Sequence, residues 1–172
     1  MREAPVIIST PRISLLVVML LLLSLVQFSP SSFPKAEASP PTAISPTGGT
    51  GSPASLGTKV TPLSPTNLCT ASCVITGGTR VGTNLFHSFG LFSIGGGDTA
   101  TFQNTQVNGV FPLTANILAR VTGGQTSNIY GTLRTADFGN ANLFLMNPTG
   151  FLFGPNATVN VGGMVKIGRA HV

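Results

Sequence analysis

Tryptophan is absent, tyrosine occurs once, and four Asp and Glu residues face nine Lys and Arg in a chain of 172 residues. Each scarcity excludes a class of function. Sugar-binding platforms favour Trp and Tyr, whose rings offer a polar handle beside an apolar face. With Tyr130 standing alone, the eleven Phe read as core filling instead. Glycoside hydrolysis generally needs two carboxylates at a set separation. After the first 38 residues only Asp98 and Asp137 remain, each near a turn-forming Gly, so both read as turn residues. No G-x-S-x-G run and no cluster of metal ligands at motif spacing occurs. Ser88 beside His87 lacks an evident third partner, and His87 is expected as a half-buried strand residue. The double-Gly pairs, Gly162-Gly163 among them, do not follow a phosphate-loop pattern. The chain is expected to be no enzyme and to use no cofactor.

Charge is scarce as well. Charged residues make up 8% of the chain, against about 25% in soluble globular proteins. Beyond Ser39 the cations are Lys59, Arg80, Arg120, Arg134, Lys166 and Arg169, and they are scattered. Between Asn67 and Val165 three Arg oppose two Asp, a net charge of +1. Nucleic-acid binders cluster Lys and Arg on one face, so nucleic acid is not an expected partner. The positive balance reflects missing carboxylates, and Thr, Asn, Ser and Gly must keep the surface wet.

What is present begins with a leader. Arg2 and Arg12 stand against Glu3, and an apolar run follows from Ile13 to Val26. That run is shorter than the roughly 20 residues a membrane-spanning helix needs. Ala36-Glu37-Ala38 supplies a small-x-small site, so residues 1–38 read as a signal peptide cut between Ala38 and Ser39. Entry into the Sec translocon and no stable membrane span after cleavage are the expectations. An uncleaved anchor is the alternative.

The two cysteines, Cys69 and Cys73, are spaced CTASC. In an oxidising compartment they read first as a disulfide, worth about 2 kcal/mol for so tight a loop. Free thiols and metal ligation stay open behind it. Zinc would need two further ligands, and only His87 lies nearby.

Residues 39–66 are dominated by Pro, Ser, Thr and Gly, with scattered apolar side chains. Such a segment buries too little to offset its ordering entropy, so a flexible or polyproline-like spacer is expected. From Asn67 the texture changes to apolar bursts broken by Gly, Asn and Thr. Only Thr114 to Val121 would tolerate a helix; β-branched and aromatic residues fill the other bursts, so the fold is all-β. Ile129-Gly131-Leu133, Leu143-Leu145, Phe151-Phe153 and Val159-Val161 each place two apolar residues on one face of a very short strand. Strands too small to close a core alone suit a stacked coil sharing one interior. A sandwich or barrel remains equally open on composition and spacing.

Asn147-Pro148-Thr149-Gly150 sits between LFLM and FLFG and reads as a β-turn, with Pro presetting φ and Gly supplying the permissive conformation. Three long runs carry a resemblance: ITGGTRVGTNLFHSFGLFSIGGGDTATF (Ile75 to Phe102), ILARVTGGQTSNIYGTLRT (Ile117 to Thr135) and ANLFLMNPTGFLFGPNATVNVGG (Ala141 to Gly163). Together they resemble the filamentous-haemagglutinin-type two-partner secretion domain. The resemblance implies a right-handed parallel β-helix with an N-terminal cap and extra-helical strands. It also implies recognition in the periplasm by an outer-membrane barrel with POTRA domains, through which the rest of the protein passes to the surface. The family's Asn-Pro-Asn-Gly turn falls on Asn147, Pro148, Thr149 and Gly150, with Thr149 in place of the second Asn. Thr enters left-handed backbone less readily than Asn, which puts the turn geometry in question.

On this reading residues 67–166 form the secretion domain, truncated at its C-terminal end, with a cap near Cys69 to Gly78 that the Cys69–Cys73 loop pins. Residues 167–172 match the translation of a common sequencing-adapter start and are expected to be a nonsense tail. The product is expected to be adhesin-, haemagglutinin- or haemolysin-like, secreted or at the cell surface. The alternative is a self-contained β-rich adhesin or carbohydrate-binding module.

Overall fold

Alternating burial along short segments is what the apolar bursts become. A computed structural model describes residues 38–170. Its strands are β1 (Ala43–Pro46), β2 (Thr58–Thr61), β3 (Cys73–Gly77), β4 (Thr79–Val81), β5 (Asn84–Ser93) and β6 (Thr99–Gln103), followed by β7 (Asn116–Val121), β8 (Ser127–Ile129), β9 (Thr132–Ala136), β10 (Asn142–Phe153), β11 (Thr158–Asn160) and β12 (Gly163–Ala170). One 3-10 turn, Pro53–Ser55, lies between β1 and β2. The fold is all-β among the described residues.

Two sheets form. The larger has seven strands, ordered β1-β5-β7-β10-β12, with β4 also on β5 and β8 also on β10. The smaller runs β11-β9-β6-β3-β2. From β5 through β7 and β10 to β12, and from β3 through β6 and β9 to β11, neighbours are parallel. Three pairings are antiparallel: β1 on β5, β2 on β3 and β4 on β5. Parallel neighbours cannot be joined by a tight hairpin. The chain therefore crosses to the other sheet between them, as at Tyr130–Gly131 between β8 and β9. A Cβ on Gly131 would run into the carbonyls of Asp98 and Gly95, so that crossing needs Gly.

The core lies between the inward faces. Leu85, Ile117 and Leu143 stand in register on β5, β7 and β10, and all three are buried. Cys73, Ala100 and Leu133 do the same on β3, β6 and β9. Near the N-terminal strands, Phe89 meets Phe92 edge-on at 5.0 Å and Phe102 at 6.0 Å. Full burial of such a side chain contributes roughly 1.5–3 kcal/mol.

Residues 39–66 are not a flexible spacer. β1 and β2 arise there, and Ile44 and Val60 are fully packed into the core. The hydroxyls that made the segment look solvated serve backbone donors instead: Thr42 Oγ1 accepts from Gly95 N at 2.7 Å and Thr58 Oγ1 from Ser88 N at 3.1 Å. The cap expected near Cys69 to Gly78 is also displaced. Cys73–Gly77 is the interior strand β3, and the antiparallel strands β1 and β2 close that end of the two sheets. Thr114 to Val121 contains β7 rather than a helix, because pairing between β5 and β10 outweighs weak helical tolerance. Ile129 and Leu133 belong to different strands in different sheets, although both side chains are buried. Residues 167–170 lie within β12, paired with β10.

Candidate functional site

The run Asn147 to Gly150 is a corner within one long strand rather than a connection between two. β10 pairs Met146 with Arg120 of β7, then Phe151 with Ser127 of β8. Against β12 its register shifts between Asn147 and Phe151. The corner is thus the point where one strand leaves one neighbour and joins the next.

Asn147 holds it. Its side chain is 1% exposed. Nδ2 donates to the Gln125 carbonyl at 2.8 Å and to Ser127 Oγ at 2.9 Å. Oδ1 accepts the Thr149 backbone N–H at 3.0 Å and the Thr149 hydroxyl at 2.6 Å. A side-chain amide has two donor hydrogens and two lone pairs, and all four are used here. The bond from Thr149 N closes an Asx turn. The left-handed backbone falls on Gly150, with φ of 94°, so Thr149 is spared the conformation that disfavours it. Thr126 Oγ1 donates to the Thr149 carbonyl at 3.2 Å. Pro148 alone of the four is exposed.

The spacing of the motif signalled a turn, but Gln125, Thr126 and Ser127 as its partners were not legible. Gln125 and Ser127 lie 22 and 20 residues earlier, and only parallel pairing brings them across.

Cys69 and Cys73 are joined as a disulfide. Both are 1% exposed, and Cys69 exchanges two backbone hydrogen bonds with Ile44 of β1. Ala38 and Ser39 are exposed, and Ser39 Oγ accepts from Gly96 N at 2.6 Å. The apolar run and the rest of residues 1–37 lie outside the described residues. Asp98 accepts a hydrogen bond from Thr42 Oγ1 at 2.5 Å, and Asp137 has a positive φ of 62°, so it occupies a left-handed turn position. His87 is fully buried rather than half-buried. Burial, and then the nearby Arg80 charge, lowers its pKa from 6.5 to about 4, so the ring is neutral. Among the described residues no group of three or more His, Cys, Asp or Glu is placed to hold a metal ion.

A family model of the TPS secretion domain matches residues 54–166. The chain belongs to the two-partner secretion domain family. The match begins inside the stretch whose composition suggested a spacer, consistent with β2 being part of the folded domain. Membership marks the chain as exported, to the medium or to the cell surface, and implies an outer-membrane transporter of the TpsB type as partner. No curated protein and no solved structure matches the chain significantly.

Proposed function

We propose that this domain is the N-terminal secretion module of a large adhesin-like surface protein, acting by recognition and templated folding rather than by catalysis. It enters the periplasm through the Sec translocon, loses residues 1–38, and is recognised by the POTRA domains of its outer-membrane transporter. On the far side it folds as a right-handed parallel β-helix, and its strands template those of the passenger behind it.

The observation that carries the reading is the order in which strands join the two sheets. At one end antiparallel β1 and β2 cover the edges, which otherwise recruit further strands. Away from that end each later strand is added in parallel and in chain order, through β5, β7, β10 and β12 in one sheet and β3, β6, β9 and β11 in the other. Growth in one direction on nearest-neighbour contacts gives outward movement a bias without ATP. Asn147, buried and fully bonded in the folded state, meets a partner only before folding, so its part outside the membrane is to set the corner.

The test is export of the full-length protein in cells with and without the adjacent transporter gene, with Asn147→Ala as a second arm. Periplasmic retention without the transporter is expected, together with weakened export of the variant. Export that continues without the transporter would sink the reading.

A further inference from the structure

We infer that the folded domain carries a docking site for an extended, apolar segment of another protein that bears a carboxylate, in the cleft beside Arg80. The cleft has a volume of about 420 Å³, and Leu85, Gln103, Val107 and Pro112 line it with Arg80. β4, which carries Arg80, is paired on one side only among the described residues, to β5. An extended segment can add to such an edge through main-chain hydrogen bonds.

Charge identifies the occupant. Arg80 is half-buried and fixed: Nη1 donates to Leu113 O at 3.2 Å and Thr114 Oγ1 at 2.7 Å, and Nη2 to Asn104 Oδ1 at 3.4 Å. Every one of these acceptors is neutral. Asn104 is itself locked, donating to Pro112 O and Asp137 O at 3.1 Å each. The guanidinium is therefore held in place with its charge uncompensated, and a carboxylate is the group that answers it, with a charge-assisted bond of roughly twice neutral strength.

Apolar surface completes the site. Val107 lines the cleft, and Val110, Phe111 and Leu113 follow it along the segment that Arg80 ties down; the four are 59%, 67%, 43% and 79% exposed. Four large apolar side chains exposed within seven residues are more than a scattered surface residue or two, and such groupings mark interaction surfaces. A second copy of the chain is a poor occupant, since its described carboxylates are Asp98, engaged by Thr42, and Asp137, held in a turn. The cleft exists only once β3, β5 and β6 are assembled, so it belongs to the exported, folded form and stands apart from transporter recognition.

The experiment titrates the full-length exported protein with a labelled, end-capped peptide of alternating Val and Ile about a central Glu, followed by fluorescence anisotropy. Saturable binding is expected, about tenfold weaker for the same peptide with Gln, and weakened by added salt. Arg80→Gln should abolish the Glu preference. Because Arg80 also anchors the 104–114 loop, Leu113→Ser provides an independent arm: it should weaken binding several-fold while the melting curve stays unchanged. Equal affinity for the two peptides, no saturable binding, full binding by Leu113→Ser, or self-association that excludes the peptide would each overturn the inference.

Discussion

The hydroxyl of Thr58 lies 3.2 Å from Nδ1 of His87, and the same oxygen accepts the Ser88 backbone N–H at 3.1 Å. The hydroxyl donates to Nδ1 or accepts from it according to the tautomer of the neutral ring, and its second lone pair serves Ser88 in either case. The ring packs edge-on to Phe102 at 5.3 Å. One side-chain pair thus fastens the covering strand β2 to the aromatic core of β5.

Burial of His87, reinforced by the Arg80 charge, makes the fold acid-sensitive. The His87 pKa is about 4 when folded, against 6.5 for an unperturbed imidazole, so the unfolded chain binds the proton more readily between those values. The stability contributed by neutral His87 is full above about pH 7, declines as pH falls below 6.5, and is lost by about 4. The loss is on the order of 3 kcal/mol. Urea unfolding across this window should show it, and His87→Leu should flatten the slope. A wild-type midpoint that is unchanged between pH 7 and 4.5 would refute the assignment.

Asn147→Ala removes both donors and both acceptors of a buried amide and strands the Gln125 carbonyl and the Thr149 N–H. The expected cost is about 2–3 kcal/mol. Asn147→Asp should cost a similar amount at neutral pH, because a carboxylate then faces the Gln125 carbonyl. Pro148→Ala, at an exposed position, should change stability by less than about 1 kcal/mol. Denaturation midpoints of the three variants provide the check, and equal effects at positions 147 and 148 would contradict the corner described here.

Much of this architecture was legible where burial follows composition. Leu143 and Leu145 alternate with Phe144 and Met146, and the two Leu point inward as their spacing requires. The misreading of residues 39–66 has a physical cause. There Thr42, Ser55 and Thr58 occupy buried positions that a hydrophobicity pattern assigns to solvent, because their hydroxyls satisfy backbone or side-chain groups of distant strands or of their own turn. Asn147 is similar: its residue type signalled a turn, but its partners Gln125 and Ser127 depend on parallel register, which local spacing does not encode. The Arg80 cleft was unreadable for the same reason, as residues 77 to 112 converge there only through tertiary pairing.

The disulfide should matter for the covering strand rather than for the sheets as a whole. Cys69 bonds to Ile44 of β1, and Cys73 opens β3, so the bridge ties β1's contact to an interior strand. Replacing both with Ser should lower stability by about 2 kcal/mol and the melting temperature by roughly 5–10 °C. Hydrogen exchange should quicken first at Ile44 and Cys69. Faster exchange confined to β10 and β12 would contradict this placement.

Three asparagines on successive parallel strands hold the larger sheet in register. Asn84, Asn116 and Asn142 are directly paired along β5, β7 and β10. Asn116 Nδ2 donates to Asn84 Oδ1 at 2.9 Å, and Asn142 Nδ2 to Asn116 Oδ1 at 3.3 Å. The fourth position is Gly163 of β12, where a Cβ would run into Asn142 Oδ1. Slipping any strand by one residue would break the ladder and turn Leu85, Ile117 or Leu143 away from the core. The middle member makes two of these bonds and Asn142 makes one, so the effects should be graded. Asn116→Ala should cost about 1–2 kcal/mol and Asn142→Ala about half as much. Gly163→Ala should also destabilise, although it adds apolar surface, because the Asn142 amide would have to move. Urea midpoints give the order directly, and an Asn142→Ala effect as large as that of Asn116→Ala would mean that strand packing alone, not the amide ladder, sets the register.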